Sequence, residues 1–226
     1  MKSLFFFLAI ISIVPVDAQN KYGIHAITFS EYELSLLSHP EKQLVDLQKF
    51  IPGIVLDIKY ATVDNFTQAK VYNLAKAYAR KPVAEALLKV QEKLRPLGVG
   101  LKIFDAYRPW SATVKFFELM NGDTTYVASP YKGSRHNRGC ALDLTIINLK
   151  TGKELTMPSP YDAMVKASWP STPVADPSIR KNRNILIDVM ETNGFKVYQT
   201  EWWHYDFDGW DKFEVMNIDF EELEKK

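Results

Sequence analysis

Two short segments hold residue types that could do chemistry together, Ser134-Arg-His-Asn-Arg-Gly-Cys-Ala-Leu-Asp143 and Glu201-Trp-Trp-His204. Between them they offer two imidazoles and two carboxylates. Catalytic zinc takes three protein ligands from His and Asp or Glu and keeps a fourth position open for water. His136, Asp143 and His204 would fill the three places for one Zn2+ per chain. Glu201, three residues before a ligand, is then surplus to the ligand set and suited to accept a proton from that water. The pattern predicts a metallohydrolase. A lone histidine is more often a satisfied structural residue than a ligand, which is the reading for His25 and His39. A zinc-stabilised binding domain without activity is the reading of another class, but a structural zinc needs no spare carboxylate beside it. Cys140 is the sole cysteine, so no disulfide can form within the chain. With no group in sight to activate it, it reads as a small buried filler and not a nucleophile.

These residues need a frame. His136 and Asp143 are an odd number of positions apart and would face opposite ways on an unbroken strand. Gly139 is the natural place for a bulge or turn, after which Ala141, Asp143 and Thr145 share one face and Leu142, Leu144 and Ile146 the other. Glu201 and His204 likewise require a turn or strong twist, with Trp202 and Trp203 burying large areas around them. Elsewhere, period-two alternation predicts a strand over Ile54 to Tyr60 and another over Val99 to Ile103. Helical spacing predicts helices over Pro82 to Arg95, Trp110 to Met120, and from Asp176-Pro177 through Met190, the last closed by Asn193-Gly194. Phe195 to Phe207 is aromatic and strand-like. Lys150 to Pro177 reads as an ordered loop over the site. The pattern is α+β: a single domain with a largely antiparallel sheet packed with helices and the zinc site at the sheet. Arg108 sits where a strand hands over to a helix, and spacing alone leaves open whether it serves the site or makes a surface or structural ion pair.

The chain has 226 residues, 46% hydrophobic and 24% charged, enough to bury the core of one domain. A net charge of +1, with cations scattered among acids, offers no field for a polyanion and argues against nucleic acid as a partner. Lys2, an apolar run from Leu4 to Val16 and Val16-Asp17-Ala18 form the pattern of a secretory signal peptide. The run is too short to span a bilayer. The expected organisation is a signal peptide over residues 1–18 and a catalytic domain over residues 19–226, exported to the periplasm or secreted.

Ser-Arg-His-Asn-Arg-Gly-Cys-Ala-Leu-Asp (134 to 143) and Glu-Trp-Trp-His-Tyr (201 to 205) closely resemble the motifs of the zinc D-alanyl-D-alanine dipeptidases of the VanX type. The resemblance extends through Lys-Tyr-Ala-Thr-Val-Asp-Asn-Phe (59 to 66) and Phe-Asp-Ala-Tyr-Arg-Pro (104 to 109). It implies that His136, Asp143 and His204 bind zinc, that Glu201 is the catalytic base and that Arg108 stabilises the transition state. It further implies that Ser134 and Asp162 bind the free amino group of a D-amino-acid dipeptide and that Tyr60 lines the pocket. The activity implied is hydrolysis of D-Ala-D-Ala to two D-alanines in cell-wall peptide turnover. Related D,D-carboxypeptidases and peptidoglycan endopeptidases share the zinc motifs and stand as the alternative. An export signal departs from the cytoplasmic enzymes of this type.

Overall fold

The computed structural model describes residues 21–225, so the expected signal peptide lies outside the described residues. Five strands form the main sheet: β2 (Val55–Leu56), β4 (Val99–Asp105), β5 (Ala141–Asn148), β6 (Phe195–Tyr198) and β7 (Glu201–Phe207). Their order is β2-β4-β5-β7-β6, with β2 parallel to β4 and the other pairings antiparallel. A separate two-stranded ribbon pairs β1 (Leu44–Asp46) with β3 (Tyr78–Arg80). The helices are α1 (Phe29–Ser38), α2 (Leu47–Phe50), α3 (Lys81–Leu94), α4 (Trp110–Leu119), α5 (Pro177–Glu191) and α6 (Phe220–Leu223). This is the expected α+β domain. Among the described residues no helix is long and apolar enough to cross a membrane.

The helix signals act as their chemistry requires. Asp176 caps α5 by accepting from the N–H groups of Ser178 and Ile179, with Pro177 in the first turn. Val83, Leu87, Val90 and Leu94 form the buried face of α3, which packs on β4 and α5. Burying a side chain of this kind contributes about 1.5–3 kcal/mol.

Two expectations are corrected. The strand over Ile54 to Tyr60 is confined to Val55 and Leu56, with one further ladder bond from Asp57 N to Ile103 O. Beyond it the Asn65 side-chain amide donates to the carbonyls of Lys59, Thr62 and Ala69 and pulls the chain into a loop. A 3-10 turn, Lys59–Ala61, then carries Tyr60. Phe195 to Phe207 is two strands, β6 and β7. Their register is Val197 with Tyr205 but Tyr198 with Glu201, and this irregularity supplies the twist that brings Glu201 beside His204.

The break between His136 and Asp143 is a turn. His136–Arg138 is a 3-10 turn ended by Gly139 at φ +69°, in the left-handed region. The turn is fastened on both sides. Arg80 N donates to Gly139 O at 2.9 Å and the buried Arg80 Nε to Arg138 O at 2.9 Å. The Asn137 amide donates to Arg108 O at 2.9 Å and to Thr113 Oγ1 at 2.8 Å, and its oxygen accepts from Ser134 N at 2.7 Å. A Cβ on residue 139 would lie 2.8 Å from Leu44 Cδ2 and 3.3 Å from Arg80 N. Gly139→Ala is therefore expected to lower the unfolding free energy by about 1–3 kcal/mol. Urea denaturation checks this, and an unchanged midpoint would mean that the turn re-forms without glycine.

Candidate metal centre and active site

Three elements meet at the C-terminal end of β4. His136 comes from the 3-10 turn, Asp143 from β5 and His204 from β7, where Asp143 and His204 are direct cross-strand partners. All three side chains are buried and their ligand atoms cluster. His136 Nε2 is 3.2 Å from His204 Nδ1 and 3.4 Å from Asp143 Oδ1, and His204 Nδ1 is 3.0 Å from Asp143 Oδ1.

The outer atoms decide what the inner ones can do. His136 Nδ1 faces Ala106 O at 2.7 Å and His204 Nε2 faces Asp206 Oδ1 at 3.0 Å. Each outer nitrogen therefore carries the proton in the neutral ring, and each inner nitrogen presents a lone pair. Tyr161 donates its hydroxyl to Asp143 Oδ2 at 3.0 Å, while Asp143 Oδ1 is buried with no hydrogen bond. Three lone-pair atoms thus face one point in a dry site, which is unfavourable without a cation between them. A tetrahedral zinc with ligands at about 2.0–2.2 Å holds them about 3.3–3.6 Å apart. The observed spacings are close to this, so the residues fit Zn2+. Burial alone would raise the Asp143 carboxyl, but with no cation between them the imidazoles take up protons, outweigh burial and hold it well below the usual range, the same demand for positive charge that a metal ion meets.

Glu201 opens β7 with its Oε2 3.7 Å from His204 Nδ1. Burial pushes its carboxyl up to about 7, where a group can both take and return a proton near neutrality. Arg108 joins the two roles left open by its sequence position. Its Nε and Nη2 donate to Asp105 Oδ2 at 2.9 and 2.7 Å, and Nη2 also lies 3.8 Å from Asp143 Oδ2. Asp105 is held in turn by the hydroxyl of Tyr72 and by Ala106 N. The guanidinium lies over the rings of Tyr60 and Phe116, 5.3 and 4.9 Å from their centroids. It is a buried ion-paired arginine that also lines the site.

Tyr60 donates its hydroxyl to Asp162 Oδ2 at 2.7 Å. Asp162 has φ +55°, a conformation uncommon for a residue with a side chain. Loss of solvent raises its carboxyl to about 8, and the neighbouring Asp143 charge adds to the rise. Ser134 Oγ accepts from His136 N at 3.2 Å, which orders the turn. Tyr60, Arg108, Ser134, Asp162 and Glu201 line one cavity of about 460 Å³ with the three metal-site residues. The loop from Lys150 to Pro177 supplies Asp162 and Met164 to its wall, as expected of a loop over the site. His25 and His39 are at the surface beside Glu31 and Glu41. Cys140 is wholly buried, and burial pushes its thiol up to about 12, which suits a filler.

Sequence reasoning passed over Asp105, Asn137, Tyr161 and Asp206. Two of them carried a signal: Asp206 is two residues past His204 on the same strand face, and Asp105 is three before Arg108. Tyr161 and Asn137 act across the fold and left no such trace.

Metal analysis of the purified protein should find one zinc per chain, lost in His136→Ala and His204→Ala, and chelation should lower the thermal midpoint. Asp206→Ala, which frees the outer nitrogen of His204, should weaken zinc affinity about 10- to 100-fold. Competition against a chromophoric chelator measures this, and an unchanged affinity would leave the Asp206 contact without influence on the centre.

The peptidase M15 family, described as D-ala-D-ala dipeptidase, matches residues 40–221. A D-alanyl-D-alanine dipeptidase of Escherichia coli K12 is 34% identical over 164 residues, covering 73% of this chain and 84% of that protein. One from Enterococcus faecium is 35% identical over 181 residues, covering 70% and 88%. One from Enterococcus faecalis is 34% identical over 189 residues, covering 73% and 91%. Among solved structures, the LD-carboxypeptidase LdcB aligns with a TM-score of 0.44 at 19% identity, covering 80% of this chain and 77% of that one. The chain therefore belongs to the D-Ala-D-Ala dipeptidases of the peptidase M15 family and is a metallopeptidase.

Proposed function

We propose that this protein hydrolyses the dipeptide D-Ala-D-Ala to two D-alanines, with one zinc ion held by His136, Asp143 and His204. We further propose that it works outside the cytoplasm in cell-wall peptide turnover, as a domain spanning residues 19–226 behind a cleaved leader. The observation that carries the activity is the convergence of Glu201 and Arg108 on the three ligand atoms, in a cavity whose wall holds the Tyr60–Asp162 pair. When bound, zinc supplies a Lewis acid that polarises the peptide carbonyl and makes water easier to deprotonate.

The chain's own groups supply the rest. Glu201 takes the proton of the attacking water and returns it to the departing amine. Arg108 offers guanidinium N–H groups to the oxygen on which negative charge develops. Its head is fixed by Asp105, so little reorganisation accompanies the charge, and a pre-aimed donor of this kind is worth about 3 kcal/mol of barrier. Asp162 receives the substrate ammonium, with Tyr60 holding the carboxylate in place and Ser134 as a further polar partner. Its raised pKa is the cost of a desolvated anion without a cation, and an incoming ammonium relieves it.

A second cavity, of about 860 Å³, shares Asp162 and Phe66 with the first. It favours a second reading in which stem peptides of peptidoglycan extend past the amine end, as in a D,D-carboxypeptidase or endopeptidase. A hydrolysis panel of free D-Ala-D-Ala, L-Ala-L-Ala and N-acetyl-D-Ala-D-Ala on zinc-loaded protein separates the readings. Efficient cleavage of the free D,D-dipeptide alone is expected, whereas efficient cleavage of the N-acetyl compound would move the protein to the second. Glu201→Gln keeps shape but cannot accept a proton, so it should retain zinc while kcat falls about a hundredfold or more. Activity retained in that variant would place the base elsewhere.

A further inference from the structure

A dipeptide zwitterion carries two charges, and the site described so far has a partner for only one of them. Asp162 answers the ammonium. Four cations line the cavity: Arg108, Lys132, Arg135 and Arg138. Arg108 is committed to Asp105 and, in the proposed reaction, to the developing oxyanion, while Arg138 donates its Nη1 to Phe213 O and lies more loosely over Trp210, its Cζ 5.4 Å from the ring centroid. Lys132 is exposed and has no ion pair among the described residues, so nothing fixes its ammonium. Arg135 differs from all three. Its guanidinium is stacked on Trp210, with Cζ 4.7 Å from the ring centroid, and its Nε lies 3.4 Å from Asp206 Oδ2. Among the described residues neither terminal nitrogen donates to a protein acceptor, and Nε is buried without a hydrogen bond. The side chain is 37% exposed. It is a cation held in position with its fork unused.

We infer that Arg135 binds the C-terminal carboxylate of the dipeptide and makes the enzyme selective for a free acid at that end. The inference rests on the proposed dipeptide hydrolysis. Guanidinium matches carboxylate in a planar, two-bonded fork, and an arginine already immobilised by stacking gives up little freedom on forming it. Asp206 steadies the head, and its other oxygen is engaged by His204 Nε2. The carboxyls Glu201 and Asp162 in the same cavity are hydrogen-bond and charge partners for an ammonium and offer a substrate carboxylate no cation, so the lining orients the dipeptide with its amine toward Asp162 and its acid toward Arg135.

The test compares D-Ala-D-Ala with D-alanyl-D-alaninamide on zinc-loaded wild type, Arg135→Ala and Arg135→Lys, with zinc content measured for each. Wild type should prefer the acid. In Arg135→Ala, KM for the acid should rise about 10- to 100-fold, the size of a charge-assisted bond. The amide should suffer much less, so that the acid-over-amide preference narrows tenfold or more. Equal losses on both substrates would mean that Arg135 acts only through Asp206 and His204, and would overturn the assignment, as would an unchanged KM. Should Arg135→Ala fail to keep zinc, Arg135→Lys decides. It retains charge beside Asp206 but not the fork, so its preference must narrow too, and a full preference there overturns the assignment. If wild type cleaves neither substrate, the dipeptidase reading itself fails and the carboxylate anchor with it.

Discussion

An aspartate carboxylate buried at the junction of three structural elements is the constraint on which the rest of this molecule depends. Asp143 is almost wholly inaccessible, and an isolated charge in such a place would be prohibitively unfavourable. It is tolerated because two imidazoles, the Tyr161 hydroxyl and the Arg108 guanidinium surround it. Each of those groups needs support in turn. Asp105 balances Arg108, Asp206 holds His204, and the Ala106 carbonyl orients His136. The result is a connected polar network at the end of an apolar sheet, with one acceptor, Asp143 Oδ1, left over and aimed where a cation belongs.

The sheet and the turn divide the work of placing it. Antiparallel pairing of β5 with β7 sets Asp143 directly across from His204, so the backbone positions of two of the three clustered residues are fixed by the sheet register. The third comes from outside the sheet. Gly139 lets the chain reverse, and Asn137 ties the turn to the start of α4, so the element that presents His136 also braces the backbone of Arg108. A shift in one of these groups is felt by the other, which suits a site in which the proposed ligand and the proposed donor keep their relative positions.

Electrostatic asymmetry within one cavity is the feature that links this frame to function. Glu201 and Asp162 are carboxyls displaced upward by loss of solvent, while Asp143 is displaced downward by its partners. Carboxyl groups thus stand in three states of readiness within one cavity. Environment separates the proposed proton carrier and the proposed ammonium receptor from the proposed metal ligand.

Much of the candidate site was legible in the sequence because metal chemistry restricts residue types and because the residues that the fold clusters occur in two dense local segments. His136, Asp143, Glu201 and His204 could be picked out from type and spacing, and the odd separation of His136 and Asp143 pointed to Gly139. The capped helices α3, α4 and α5 were equally clear, since propensity, capping and apolar period agree there. What only the tertiary structure decided is everything that depends on chain segments far apart in sequence. Tyr161 reaches Asp143 from a loop, Asn65 bends away a segment whose alternation reads as a strand, and Arg108 is at once an ion pair and a wall of the cavity. Local pattern determines which residues can do the chemistry, because propensity and ligand type are properties of short segments. Which of their atoms face one another is set by sheet register and long-range packing, and no short segment contains that information.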